Sequence, residues 1–136
     1  MPSASKTKGD KAEREAAALL SDLLGMSVRR KLGAGRMDDE GDLDGLPDWT
    51  LEVKNRPGDV LRALREGLDD AEREQANAGT TFGAALVRRP GGRWFVAMTP
   101  AQFATVVREL LADGDGLAAL RVAGARVRQA AEDGAA

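Results

Sequence analysis

The stretch Leu51-Glu52-Val53-Lys54 constrains this chain more than any other. Apolar and charged residues alternate there, and side chains alternate across a β-strand. Glu52 and Lys54 therefore share one face, and Leu51 and Val53 the other. Ten residues before Glu52 stands Asp42, in Gly41-Asp42-Leu43-Asp44-Gly45. The spacing predicts two adjacent strands, Asp42–Asp44 and Trp49–Asn55, with a turn at Gly45–Pro47. Asp42 and Glu52 would then hold a divalent cation, with the Val53 backbone carbonyl as a further donor. Paired carboxylates repel unless a cation neutralises them. Lys54 beside that cation would orient a water or stabilise charge developing on a phosphate. The arrangement points to phosphodiester hydrolysis. Glu-x-Lys alone more often marks an exposed strand ladder, and the upstream Asp sets this case apart.

Composition narrows the chemistry. The 136 residues include no His and no Cys, which excludes His general bases, Ser-His-Asp hydrolases and thiolate zinc sites. Any metal must take oxygen ligands, as Mg²⁺ does, with Mn²⁺ able to substitute. The length suits one domain with its own core. No run approaches a membrane span and no secretory signal is evident. The expected setting is cytoplasmic, with DNA and no membrane as partner. The net charge is −2, but it is unevenly spread. Residues 1–36 carry eight Lys/Arg against four Asp/Glu, and residues 37–80 carry five against thirteen. DNA affinity follows where basic groups cluster, so the acidic total does not exclude a nucleic-acid partner.

Residues 1–7 read as a flexible N-terminus. A helix is expected from Gly9 to Leu24 with Gly25 as its C-terminal cap. Its stripe is Glu13, Ala16, Ala17, Leu20 and Leu24. Met26–Leu32 reads as a strand and Gly33–Gly41 as a charged loop. A helix over 59–78 presents Val60, Leu61, Leu64 and Leu68 as its apolar side. Phe82–Arg88 and Arg93–Thr99 form a hairpin around Pro90-Gly91-Gly92. Thr99 caps a helix that begins at Pro100 and runs to Ala112. Residues 113–136 read as a tail or loose helix. The order αβββαββα predicts a single α/β domain with a central mixed sheet flanked by helices.

Glu13 faces a core on its stripe, which is costly for a carboxylate unless it is paired or near a metal. It joins Asp42, Glu52 and Lys54 as a catalytic candidate and is a further candidate ligand. Asp44, Asp48 and the run Asp38-Asp39-Glu40 compete as ligands and rank below Asp42. Lys6, Lys8, Lys11, Arg14, Arg29, Arg30 and Lys31 are candidate phosphate contacts, which would position DNA without reading its sequence. Trp49 and Trp94 read as core or interface residues.

Several motifs occur in order. They are Lys8-Gly9-x-x-Ala12-Glu13-Arg14-Glu15, Gly25-x-x-Val28-x-Arg30-x-x-Gly33, Asp42-Leu43 and Leu51-Glu52-Val53-Lys54. Arg93-Trp94-Phe95-Val96-x-x-Thr99-Pro100 follows them. This series resembles the archaeal-type Holliday junction resolvases of the PD-(D/E)XK nuclease superfamily, over roughly residues 8–110. The resemblance implies a restriction-endonuclease-like core and a homodimer gripping a four-way DNA junction. It also implies paired nicks that leave 5′-phosphate and 3′-hydroxyl ends. It maps metal ligation to Asp42 and Glu52, catalysis to Lys54, a helix acid to Glu13, and basic residues near the scissile phosphate to Arg14 and Arg30. Ala34 follows Gly33 where the family usually has Ser, and the loop before Asp42 is longer and more acidic than usual. Two alternatives stay open: another nuclease of the same superfamily (restriction-like, repair or replication), and an inert DNA-binding module. The 59–78 helix and the Phe82–Thr99 hairpin are both candidate dimer surfaces.

Overall fold

A computed structural model of the chain describes residues 3–32 and 39–135. The chain is α/β, with four helices and one five-stranded mixed sheet. Two compact units make it up, Met1–Gln102 and Phe103–Ala136. The first carries the sheet.

Helix α1 spans Ala4–Leu24. It starts five residues before the expected Gly9, because the Ser3 side chain accepts from the Lys6 backbone N–H and caps the first turn. Gly25 closes it in the left-handed conformation, with its N–H donating to the Ser21 carbonyl. Strand β1 is only Arg29–Arg30, shorter than Met26–Leu32, and β2 is Leu43–Asp44. Strand β3 is Trp49–Lys54, and helix α2 spans Val60–Ala78. Strands β4, Phe82–Arg89, and β5, Arg93–Ala97, form the expected antiparallel hairpin. Helix α3 is Pro100–Ala112 and α4 is Gly116–Ala135. The order is thus αβββαββαα, one regular helix more than αβββαββα. That helix occupies most of the stretch expected to be a tail or loose helix. Thr99 and Gln102 cap α3 reciprocally. The Gln102 N–H donates to Thr99 Oγ1 at 3.2 Å, and the Thr99 N–H to Gln102 Oε1 at 2.9 Å.

The sheet order is β1-β2-β3-β4-β5. All neighbours are antiparallel except β3 and β4, which run parallel with α2 as their crossover. Leu51, Val53, Ala84 and Leu86 pack under Ala12, Ala16 and Ala17 of α1. Ala85 and Val87 pack under Ala63 and Ala71 of α2 on the other face. Glu52 and Lys54 lie level with Ala85 and Val87 on β4, so they share the α2 face. Both tryptophans serve packing. Trp49 stacks on Phe82 with centroids 5.0 Å apart, and Trp94 donates from Nε1 to Glu15.

Helix α2 buries the face expected of it only in part: Val60 and Leu64 pack against the core. Leu61 is 64 % exposed, and the buried residues are Ala63, Gly67, Ala71 and Glu74. Small residues let the helix approach the sheet closely. A Cβ on Gly67 would stand 2.9 Å from the Ala85 Cβ and 3.3 Å from the Lys54 Cγ. On α1, Leu24 is likewise 46 % exposed, because the stripe leaves the sheet before the helix ends.

The second unit contains the body of α3 and α4. Phe103, Leu111, Val122 and Val127 are among its exposed apolar residues. None of the helices is long and apolar enough to cross a membrane, among the described residues.

Candidate active site

The antiparallel register pairs Leu43 with Leu51, and Asp42, the residue before β2, stands beside Glu52, close enough for the two side chains to interact. Local bonds lock that register. The Asp42 N–H donates to the Leu51 carbonyl at 2.8 Å, and the Val53 N–H donates to Asp42 Oδ2 at 2.8 Å. A residue's N–H and C=O leave a strand on the same edge, so the Val53 carbonyl points to the side that carries Asp42. Gly45 makes the turn possible at φ 106°, where the chain passes so close to β1 that a Cβ would stand 2.2 Å from the Ser27 carbonyl oxygen.

Asp42 and Glu52 are 7 % and 4 % exposed. They line an open cleft of about 710 Å³ with Val53, Lys54, Glu13, Arg30, Lys31, Asp39, Asp70, Arg73 and Glu74. Of this wall, sequence reasoning singled out Glu13, Asp42, Glu52, Val53 and Lys54 for the site itself, Arg30 and Lys31 as phosphate contacts, and Asp39 as a competing ligand. It passed over Asp70 and Glu74, which α2 brings down onto the Glu52 face. The signal was present: Gly67, Asp70, Ala71 and Glu74 recur at helical spacing, and a stripe of small residues marks close helix–sheet contact.

Lys54 Nζ lies 2.8 Å from Glu52 Oε1 and 2.5 Å from Asp70 Oδ2. Burial alone would lower its pKa, but the bonds to Asp70 and Glu52 outweigh that and raise it. Lys54 is therefore a fixed ammonium, suited to stabilising negative charge and unsuited to abstracting a proton. Asp70 in turn receives Arg73 at 2.8 Å.

The carboxylates are poorly satisfied. Burial, then the Glu52 charge, pushes Asp42 up to about 8. Burial, then the neighbouring Glu74, raises Glu52 to about 8. Burial raises Glu74 to about 7. Glu52 Oε2 and Glu74 Oε2 are buried with no hydrogen-bond partner. An unpaired buried carboxylate costs several kcal/mol, so either protons or a cation must relieve the group. Among the described residues no set of three or more His, Cys, Asp or Glu side chains forms a metal cage. Two carboxylates nevertheless suffice for Mg²⁺, which keeps several waters and takes phosphate oxygens as its other ligands. Asp42, Glu52 and the Val53 carbonyl fit that requirement.

This has a consequence for stability. In the unfolded chain these acids titrate near 4, so between about pH 4 and 8 the folded, metal-free protein holds more protons. Stability then falls as pH rises, by about 1.4 kcal/mol per pH unit for each excess proton. Asp48 and Glu66 are held below their ordinary values by hydrogen bonds from Thr81 and Arg62, and Asp70, despite its burial, by Lys54. Thermal melting in chelator should give a higher midpoint at pH 5 than at pH 8, and Mg²⁺ should raise the pH 8 value. A midpoint that rises steadily with pH would contradict the burial of these acids.

Glu13 is engaged by Arg30, whose Nε lies 2.7 Å from Glu13 Oε2 and whose Nη2 lies 2.8 Å from Asp10 Oδ1. Glu13 thus reaches the cleft as half of an ion pair. Of the seven basic candidates, Lys6, Arg30 and Lys31 line the cleft. Lys31 lies 3.3 Å from Glu40. Lys8 and Lys11 line a separate 180 Å³ recess with Glu15 and Arg88. Arg14 is exposed on α1. Arg29 pairs with Asp44 at 3.5 Å.

Asp44 does not approach Glu52, since it is turned out to its partner Arg29. Asp48 has a structural role: its Oδ1 accepts the Thr81 N–H at 2.9 Å and ties the turn to the start of β4. Asp39 lines the cleft, and Glu40 is taken by Lys31. Asp38, Gly33 and Ala34 lie outside the described residues. The chain matches no family model, no curated protein and no solved structure.

Proposed function

We propose that the chain is a Mg²⁺-dependent, structure-selective DNA endonuclease with a restriction-endonuclease-like core. Its proposed role is to act as a homodimer on four-way junctions or other branched DNA in recombination and repair. The observation that carries the reading is that the buried Asp42 and Glu52 side chains interact at the wall of an open cleft, with Lys54 held as an ammonium beside Glu52. The ordered motifs that resemble junction resolvases supply the substrate class.

A bound Mg²⁺ would polarise a phosphoryl oxygen and acidify water, and Mn²⁺ would serve in its place. The residues have separable tasks. Asp42, Glu52 and the Val53 carbonyl hold the cation. Lys54, fixed by Asp70, faces the charge that builds on the phosphate. Arg30 and Lys31 guide the phosphate backbone into the cleft. Glu13 orients Arg30.

The unrelieved carboxylates favour an enzyme over an inert DNA-binding module, because an inert domain has no use for two buried acids side by side. The test is purified protein with a synthetic four-way junction and Mg²⁺. The expected result is paired, symmetric nicks that leave 5′-phosphate and 3′-hydroxyl ends. Equal cutting of plain duplex, or preference for linear or flapped DNA, would replace junction resolution with another nuclease activity. No cutting of any DNA with Mg²⁺ or Mn²⁺ would end the nuclease reading.

A further inference from the structure

We propose that Glu74 of α2 and Glu52 of β3 form a second divalent-cation position, beside the one held by Asp42 and Glu52. The inference rests on the reading that Asp42 and Glu52 bind a cation. It adds a residue from a different element and a second ion.

Glu74 is 2 % exposed and lines the cleft. Each glutamate has one oxygen turned to a basic group: Glu52 Oε1 lies 2.8 Å from Lys54 Nζ, and Glu74 Oε1 lies 3.8 Å from Arg73 Nη2. The other oxygen of each, Oε2, is buried without a hydrogen-bond partner, although the two side chains are close enough to interact. Two carboxylate oxygens repel unless a proton or a metal ion lies between them. Glu52 interacts directly with both Asp42 and Glu74, and among the described residues no three acids surround a single point. A carboxylate shared by two others suits a pair of cations about 4 Å apart, the spacing of two-metal phosphodiester sites. The close docking of α2 at Gly67 brings Glu74 down to Glu52.

The test counts ions on the full chain, without DNA, by Mn²⁺ titration calorimetry and by electron paramagnetic resonance. Wild type should bind two Mn²⁺ per chain. Glu74→Gln and Glu74→Leu should each bind one, and Asp42→Asn should also retain one. Gln preserves the size of the side chain and Leu removes a buried charge, so both variants should fold, as a melting curve will verify. An unchanged ion count in both Glu74 variants overturns the second position and leaves the Asp42–Glu52 site standing. A wild-type count of one, abolished by Asp42→Asn, does the same. Wild type with no bound Mn²⁺ overturns both this inference and the metal-dependent reading beneath it.

Discussion

Glu52→Gln is expected to lower DNA cleavage by about a thousandfold or more while DNA binding persists. Removing one member of a catalytic set typically costs several orders of magnitude, and Glu52 stands at the centre of this one. Its side chain interacts with Asp42 and touches Lys54 on its own strand. The amide keeps the shape of the side chain but has only a weak, neutral oxygen to offer a cation. Lys54 keeps Asp70, so its position should hold. The variant should also melt no lower than wild type in chelator, because it removes an acid that is 4 % exposed and only half satisfied. Single-turnover cleavage, gel-shift binding and thermal melting read the three effects separately. Cleavage within tenfold of wild type would remove Glu52 from the chemistry. A sharply lower melting point would make its role structural.

Gly45→Val is expected to destabilise the sheet-bearing unit by about 2–6 kcal/mol, combining backbone strain with overpacking. A domain's whole stability is only about 5–15 kcal/mol, so the loss should be large in a melting or denaturant curve. The backbone at Gly45 has φ 106°, a region hostile to a β-branched side chain, and the new Cβ would stand 2.2 Å from the Ser27 carbonyl oxygen. Neither atom can yield without moving backbone. The turn after β2 would then shift, and with it the register that sets Asp42 beside Glu52. A milder change, Gly45→Ala, should show the same direction with a smaller loss. Wild-type melting of Gly45→Val would mean that the chain passes Ser27 by another path.

Much of the site was legible because its two acids sit close together in sequence. Alternation within Leu51–Lys54 fixed which residues share a face, and the two glycines around Asp42-Leu43-Asp44 marked where the neighbouring strand begins and ends. The hairpin at Pro90-Gly91-Gly92 and the cap at Thr99-Pro100 were legible for the same reason. What α2 contributes was not. Its leucines suggested one face, whereas the buried face consists of Ala63, Gly67, Ala71 and Glu74. Close approach of a helix to a sheet is a property of two surfaces at once, and hydrophobic pattern alone favours large side chains. Asp70 and Glu74 therefore looked like ordinary solvated acids. The basic residues misled in the opposite sense. Arg29 and Arg30 are adjacent, yet strand alternation sends one to Asp44 and the other to Glu13 and Asp10.

Those ion pairs change what it means for this cleft to meet a polyanion. A free arginine on a protein surface is attended by dissolved anions, and DNA is attended by condensed cations. Binding normally disperses both into bulk solution, which supplies much of the driving force. Here Arg30 and Lys31 carry their own counterions, fixed covalently to the same chain as Asp10, Glu13 and Glu40. A phosphate that reaches them exchanges one tethered anion for another. For the proposed DNA ligand the gain in entropy would be correspondingly small, and recognition would depend on how well the incoming backbone fits the vacated geometry.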